Sequence, residues 1–449
     1  MAEHGPEYRV DEIVDTARFA GLPLVVLACT LAVLALDGFD IQLIGFVAPV
    51  VTAEFGVSRA ELGPVLGASL LGMAVGALAL GPLGDRHGRR PALLASTLTF
   101  GLATLLGAHA GSIGELAFWR LVTGVGLGGA LPNATALLAE YAAPKWRSQA
   151  ITIAIVGVPL GGVLGSFIAA DVISAFGWRA LFVVGGALPL LLLPFLWRFC
   201  PESPRFLAAD VSRRTQLIQT LARLTPERQY DGNARFVLSS TLATGQRRFS
   251  ALFSPLLIRD TLGAWLAFAT NIFAVYSFFS WSPVVLTSLG FSLQEAVRGS
   301  LYFNLAGIAG SVLNAWLIAR IGSKLPLLLM CAIAGAALIT LMFVSGSLQE
   351  GAAASTTSIQ GIMWGIAAAG FSITAIQIGM YAVTAHIYPT ECRSTGVGSA
   401  LGVGRFGGIF SALAGGALLT QAGGAGFFGG IALAVVLTLV GVLIIRRHI

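Results

Sequence analysis

Long apolar runs, broken at intervals by short charged patches, dominate the chain. No Asp, Glu, Lys or Arg occurs in residues 62–84, 148–170, 180–197, 261–294, 299–319 or 325–349. Each run reaches or approaches the roughly 20 residues that a helix needs to cross a bilayer. The run 406–445 is too long for one crossing and divides at QAGGAGFFGG, giving two spans. Further spans at 23–47, 91–110, 115–140 and 355–386 bring the expected total to twelve. The pattern therefore predicts an all-α membrane protein, and composition agrees: 56% of the 449 residues are hydrophobic and 11% are charged.

Charge refines the picture by orienting the chain. With twelve spans and both termini on one side, 22 of the 27 Lys and Arg residues fall on the terminal side, three (Arg59, Arg179, Arg298) fall opposite, and Arg120 and Arg405 lie within spans. Basic residues accumulate on the cytoplasmic face, so both termini are expected in the cytoplasm and the protein in the cell's inner membrane. The acidic stretch before the first apolar run (Glu3, Glu7, Asp11, Glu12, Asp15) is the wrong flank for a cleaved signal peptide, so the first span is expected to be retained. A pI near 9.5 then reflects membrane topology rather than nucleic-acid binding. Cys29, Cys200, Cys331 and Cys392 show no paired or metal-ligand spacing and read as packing residues. With five scattered histidines and no Walker, G-x-S-x-G or H-E-x-x-H motif, neither a cofactor, nor a metal site, nor an enzyme is expected. GVGLGG (124–129) and GVGRFG (402–407) match G-x-G-x-x-G, but each sits inside a span without a preceding strand, which excludes a dinucleotide site.

Composition shifts sharply once, in the charged and polar segment after residue 198. The expected division is an N-terminal six-helix bundle with its tail (1–198), a cytoplasmic linker (199–258) and a C-terminal six-helix bundle (259–449). Within the linker, Val211, Leu217, Ile218, Leu221 and Leu224 recur at helical spacing, predicting a short helix along the membrane face near anionic headgroups. The two halves are similar to one another. Slid by 246 residues, EYAAPKWRS (140–148) lies over HIYPTECRS (386–394), and Gly161 and Gly162 meet Gly407 and Gly408. GPLGDRHGRRPALL (81–94) has a decayed counterpart in AWLIARIGSKLPLLL (315–329). Internal duplication of this kind marks repeat-built secondary transporters.

GPLGDRHGRR resembles the G-x-x-x-D-R-x-G-R-R signature of the major facilitator superfamily, and WRLVTGVGLGG resembles its Arg-containing fourth-helix motif. DGFDIQLIGFVAP and YPTECRSTGVGSALGVGRFGG are similar to motifs of its aromatic acid:proton symporter family. The resemblance covers nearly the whole chain outside residues 1–20 and the linker. It implies two six-helix bundles rocking about a midplane cavity, and import of a small aromatic carboxylate, such as a benzoate, hydroxybenzoate or phenylpropanoid acid, together with a proton. Export of amphipathic compounds by antiport, or import of a non-aromatic acid, is the alternative. Lipid and the substrate are the expected partners of a functional monomer.

The charges inside spans need a physical account. Asp37 and Asp40, spaced i, i+3, share one face of the first helix about 20–25 Å from its cytoplasmic entry. Lipid exposure would cost such a pair several kcal/mol, so the face is expected to look into the cavity and to serve proton coupling. Arg405 falls near the midplane among small residues, where its planar guanidinium suits a carboxylate; it is expected to anchor the substrate, with a salt bridge to Asp37 or Asp40 as the alternative. Arg120 either relays charge or forms a structural pair with a first-helix Asp. Gln42, Asn133, Asn271, Tyr276, Trp281, Tyr302, Asn304, Gln377 and Tyr381 are candidates to line the cavity, offering rings to stack on a flat ligand and amides to read ring hydroxyls. Asp85, Arg86, Arg89, Arg90, Glu140, Arg147, Glu391 and Arg393 gather at the cytoplasmic helix ends and are expected to cross-link the bundles when the cavity faces outward. His386, the counterpart of Glu140, joins that network as a structural or proton-carrying residue.

Overall fold

A computed structural model describes residues 7–231, 234–238, 249–349, 356–389 and 392–449. Among the described residues, ten helices are long and apolar enough to cross a membrane. We label the membrane segments α1 (Leu22–Phe55), α2 (Arg59–His87), α3 (Arg89–Gly107), α4 (Ile113–Tyr141), α5 (Pro144–Phe176), α6 (Trp178–Phe199), α7 (Ile258–Ser288), α8 (Leu293–Ile321), α9 (Lys324–Gln349) and α10 (Thr356–Ile387). The last helix, Arg393–Ile444, folds back at Gly423, whose φ of 63° and ψ of −157° only glycine adopts readily, dividing it into α11 (393–422) and α12 (424–444). Across this hairpin Leu418 packs beside Gly430. The shorter α3 is the twelfth segment, held between α4 and α6. α5 bends at Val156, where Pro159 has no N–H to donate to the carbonyl of Ile155.

The helices approach closely where glycines remove a Cβ. A Cβ on Gly161 (α5) would stand 1.8 Å from the Ala35 carbonyl of α1, and one on Gly407 (α11) 1.9 Å from the Ala269 carbonyl of α7. Likewise Gly76 meets Val125 at 2.0 Å and Gly310 meets Phe371 at 2.0 Å, while Gly124 meets Ser69 at 2.0 Å and Gly370 meets Phe303 at 2.2 Å. Every such pair maps onto its partner in the other half by 234 residues in the first two helices and 246 in the fourth and fifth. The sequence repeat is thus a repeat of helix-packing contacts, made by small residues as helix association in lipid requires.

Both described chain ends lie on one side, together with the linker. Arg205 pairs with Asp11 at 2.9 Å, and Arg147 with Asp15 at 3.7 Å, tying the N-terminal tail to the linker and α5. Arg447 pairs with Asp260 at 3.6 Å, and Ser323 bonds Ile449 at 3.1 Å. On this terminal side, the tail strand Glu7–Arg9 pairs in parallel with Arg235–Val237. The linker helix Arg214–Leu224 packs on Pro204–Ala208 and α1, burying Leu217, Leu221 and Leu224 in one apolar cluster that also holds Val10, Ile13, Val14 and Tyr141. Its apolar face therefore packs on protein rather than along headgroups, because an apolar cluster of the linker, tail and first bundle receives it; Val211, at 84% exposure, is left outside. The four cysteines are buried.

The two bundles meet away from the termini. Gly63 of α2 abuts Ala412 of α11, Gly416 of α11 abuts Arg59, Gly45 of α1 abuts the Phe279 carbonyl of α7, and Gly162 of α5 abuts Asn304 of α8. On the terminal side the ion pairs among the described residues all stay within one bundle and its adjoining tail or linker. The molecule is closed on the far side and parted on the terminal side.

Candidate functional site

Between the parted bundles lies a cavity of about 540 Å³ of atom-free space, part of it open to the exterior. Arg405, Tyr276, Gln377 and Tyr381 supply its polar lining, and Leu70, Met73, Leu131, Ile272, Leu401 and Gly408 its apolar walls. Measured as helical rise from the terminal-side helix ends, these residues lie about 9 to 27 Å deep, the inner part being near mid-membrane. Gly404 and Gly408 on α11 let Ile272 and Tyr276 of α7 close over the Arg405 side of the cavity. Arg405 Nη1 donates to the Met73 carbonyl across the seam between bundles. That leaves further guanidinium donors for a planar acceptor.

Asp37 is 2% exposed, and its Oδ1 has no hydrogen-bond partner. It stands within electrostatic range of both Asp40 and Arg405, and Tyr276 within range of Asp37 and Arg405. Asp40 has a different setting. Arg120 Nη1 donates to its Oδ2 at 2.8 Å, Thr104 Oγ1 to its Oδ1 at 2.6 Å, and Arg120 Nη2 to its backbone carbonyl at 3.1 Å. Ser69 accepts from the same guanidinium at 3.3 Å. Both members of the pair are sealed from solvent, so of the two uses open to Arg120 the structure takes the buried pair within the first bundle. The two aspartates share a helix face but not an environment, and neither is among the residues that line the cavity their face was expected to meet.

Six of the candidate lining residues lie elsewhere. Gln42 and Asn304 bond each other, with Asn304 Nδ2 donating to Gln42 Oε1 at 2.8 Å and Gln42 Nε2 to Asn304 Oδ1 at 3.1 Å. Asn133 donates to the carbonyls of Leu80 and Gly129, both at 2.9 Å, bracing α4 against α2 beside Gly84. Trp281 is fully buried against Gly415 and Gly416, and Tyr302 is 43% exposed on the outer surface of α8. Asn271 is buried with Oδ1 unpartnered, outside the residues that line the cavity. Depth along a helix is readable from sequence, but the direction of a side chain around it is set by neighbours far away in the chain. Leu70, Met73 and Leu131 carried no sequence signal, being apolar residues among many.

At the terminal side, Asp85 pairs with Arg89 at 2.5 Å, and Arg89 with Glu140 at 3.5 Å. Glu202 caps α3 from the linker, accepting the N–H of Arg89 at 2.9 Å, of Arg90 at 3.3 Å and of its neighbour Ser203 at 2.7 Å. Arg90 donates to the Trp197 carbonyl, and Ser203 to Glu140. Burial pushes the Glu202 carboxyl up from its ordinary value, against the backbone N–H groups that pull it down. Arg86 and His386 are exposed. Glu391 and the side chain of Arg393 lie outside the described residues. This network stays inside one bundle, leaving the terminal side free to stand open.

A duplicated helical bundle with a polar cavity between its halves, near mid-membrane, defines a secondary transporter. Residues 30–378 match the family model for the Major Facilitator Superfamily, and the chain belongs to that family. It is 36% identical to the gallate transporter of Pseudomonas putida, covering 92% of this chain and 89% of that protein. It is 35% identical to the 4-hydroxybenzoate transporter PcaK of Acinetobacter baylyi, covering 88% and 84%. Among solved structures, the partially occluded inward-open conformation of the xylose transporter XylE from E. coli superposes with a TM-score of 0.71 at 17% identity, covering 94% of this chain and 96% of that one. The protein is a multi-pass membrane transporter, not an enzyme, and its curated relatives carry aromatic acids.

Proposed function

We propose that the protein imports a small aromatic carboxylate together with a proton, by alternating access, across a cell's inner membrane with both termini in the cytoplasm. The observation that carries this reading is Arg405, a cation in the membrane interior, lining a cavity with Tyr276, Gln377 and Tyr381. A half-buried guanidinium in the membrane interior calls for an anion, and its free donors match a carboxylate through parallel hydrogen bonds. Rings at the cavity wall suit a flat aromatic body, and Gln377 offers an amide to ring hydroxyls. Support also comes from the acids that the relatives' names specify, gallate and 4-hydroxybenzoate.

Asp37 takes the coupling role in this reading. It lies within electrostatic range of Arg405 and lacks a partner for one oxygen, whereas Asp40 is already held by Arg120 and Thr104. An ionised Asp37 competes with the substrate carboxylate for Arg405, and a protonated one releases the guanidinium to the cargo. Cargo and proton therefore load together. The terminal side becomes the cytoplasm by its excess of basic residues, which makes the open cavity inward-facing.

The test is ligand binding by the purified transporter. Thermal-shift titration with 4-hydroxybenzoate, gallate and benzoate is expected to raise the melting temperature, while benzamide, which lacks the carboxylate, is not. Arg405→Ala is expected to abolish the shift. Equal shifts with benzamide, or retention of the shift in Arg405→Ala, would remove the anchor from the reading.

A further inference from the structure

Among the described residues, only two polar contacts cross between the bundles: Arg405 to the Met73 carbonyl, and the reciprocal amide pair Gln42 and Asn304. The second is the only side chain to side chain hydrogen bond between them, and both residues are sealed from solvent, at 0% and 1% exposure. Gly162 of α5 lies against both amides; a Cβ there would stand 2.0 Å from Gln42 Nε2 and 2.7 Å from Asn304 Nδ2.

The repeat gives this seam a counterpart. By the same offsets that relate the glycine contacts, Gln42 corresponds to Tyr276, Asn304 to Leu70 and Gly162 to Gly408. Tyr276 and Leu70 do flank Gly408, at 3.5 and 3.6 Å from its would-be Cβ, and all three line the cavity. One pseudo-symmetric seam is hydrogen-bonded shut, and its twin holds the ligand site. The fold alone does not explain the difference, since both seams are built from equivalent helices.

We propose that Gln42 and Asn304 form a latch that holds the far side of the transporter closed and must break each time the cavity opens to that side. Across the seam the pair is reciprocal, each amide donating once and accepting once, while the second N–H of Asn304 donates to the Ser300 carbonyl of its own helix at 2.8 Å. Opening exchanges these bonds for water in the newly wetted cleft, so the two states stay close in free energy. A salt bridge at the same place would hold the closed state harder, and two apolar residues would leave less directional register between α1 and α8. The latch works in the empty carrier and goes beyond the substrate reading, since it needs no cargo to form.

The test reads access to the seam rather than transport. Ala412, buried where α11 meets Gly63 and Gly67 of α2, becomes a reporter as Ala412→Cys. Its labelling by a membrane-impermeant maleimide, added from the side away from the termini, is compared with that of the protein lacking the reporter. Gln42→Leu and Asn304→Leu are each expected to raise the labelling rate by roughly three- to thirtyfold, the range for losing two modest buried hydrogen bonds. The exchanged double variant Gln42→Asn with Asn304→Gln restores the pairing and returns labelling towards the parent rate. Should either leucine variant fail to fold, Gln42→Glu and Asn304→Asp keep the side-chain shape while removing an amide donor, and are expected to raise labelling in the same direction. Unchanged or slower labelling in the folded single variants, or no recovery in the exchanged variant, overturns the latch.

Discussion

Arg120 holds Asp40 at 2.8 Å inside the first bundle, while Asp37, one turn away on the same helix, keeps an oxygen that no group satisfies. The same helix thus carries one acid committed to structure and one available for exchange. Removing one member of a buried pair strands the other charge away from water, at a cost of about 3–5 kcal/mol. Asp40→Asn is therefore expected to lower the melting temperature in detergent markedly. Asp40→Leu combined with Arg120→Met, which removes both charges, is expected to recover most of that loss. Asp37→Asn is expected to melt at or above the parent temperature, since it discards a buried carboxylate that makes no direct ion pair, and Arg405 keeps its bond to the Met73 carbonyl.

Glycine positions divide into those that carry a helix contact and those that do not. Gly161→Ala and Gly407→Ala place a methyl within 1.8 and 1.9 Å of a facing carbonyl, so each is expected to destabilise by about 1–3 kcal/mol or more as helices are forced apart. Because the two sites are repeat equivalents, their effects should be similar. Gly402, with open space around its would-be Cβ, provides the contrast, and Gly402→Ala is expected to be neutral or to stabilise by up to about 1 kcal/mol. Thermal unfolding of the three variants side by side decides this.

The linker acid Glu202 should leave a signature in the dependence of stability on pH. Burial raises its folded-state pKa above the unfolded value, so the folded protein binds that proton more tightly. Its contribution is fully present below the ordinary carboxylate range and is lost as pH rises through the raised value. Glu202→Gln keeps an oxygen to accept the α3 N–H groups but cannot ionise. Melting temperature plotted against pH, from the ordinary carboxylate range upward, should fall less steeply in the variant than in the parent.

Much of this architecture was legible in the sequence, and the boundary is physical. Run length and charge placement located the membrane segments and the division of the last run near QAGGAGFFGG, where the chain turns at Gly423, because lipid tolerates no other reading of forty apolar residues. The repeat was visible at Gly161/Gly162 and Gly407/Gly408, because close helix contact permits few residues besides glycine. Depth placed Arg405, Asp37 and Asp40 in the interior. What stayed hidden was azimuth and partnership. Nothing local to Trp281 or Tyr302 tells whether the ring faces a glycine seam or lipid, and nothing near Gln42 names Asn304, 262 residues away, as its partner. Nor could sequence decide which arginine meets Asp40, since Arg120 and Arg405 are both single cations in apolar spans. The parallel pairing of Glu7–Arg9 with Arg235–Val237 was missed for the same reason, as three-residue strands carry no periodic signal.

Accumulation of a radiolabelled aromatic carboxylate by proteoliposomes under an imposed pH gradient, acid outside, tests the coupling most directly when the parent is compared with Asp37→Asn. The parent is expected to concentrate 4-hydroxybenzoate and to lose that ability with a protonophore, while the variant still exchanges labelled for unlabelled substrate but does not accumulate it. Gradient-driven accumulation by Asp37→Asn at the parent level would contradict the account.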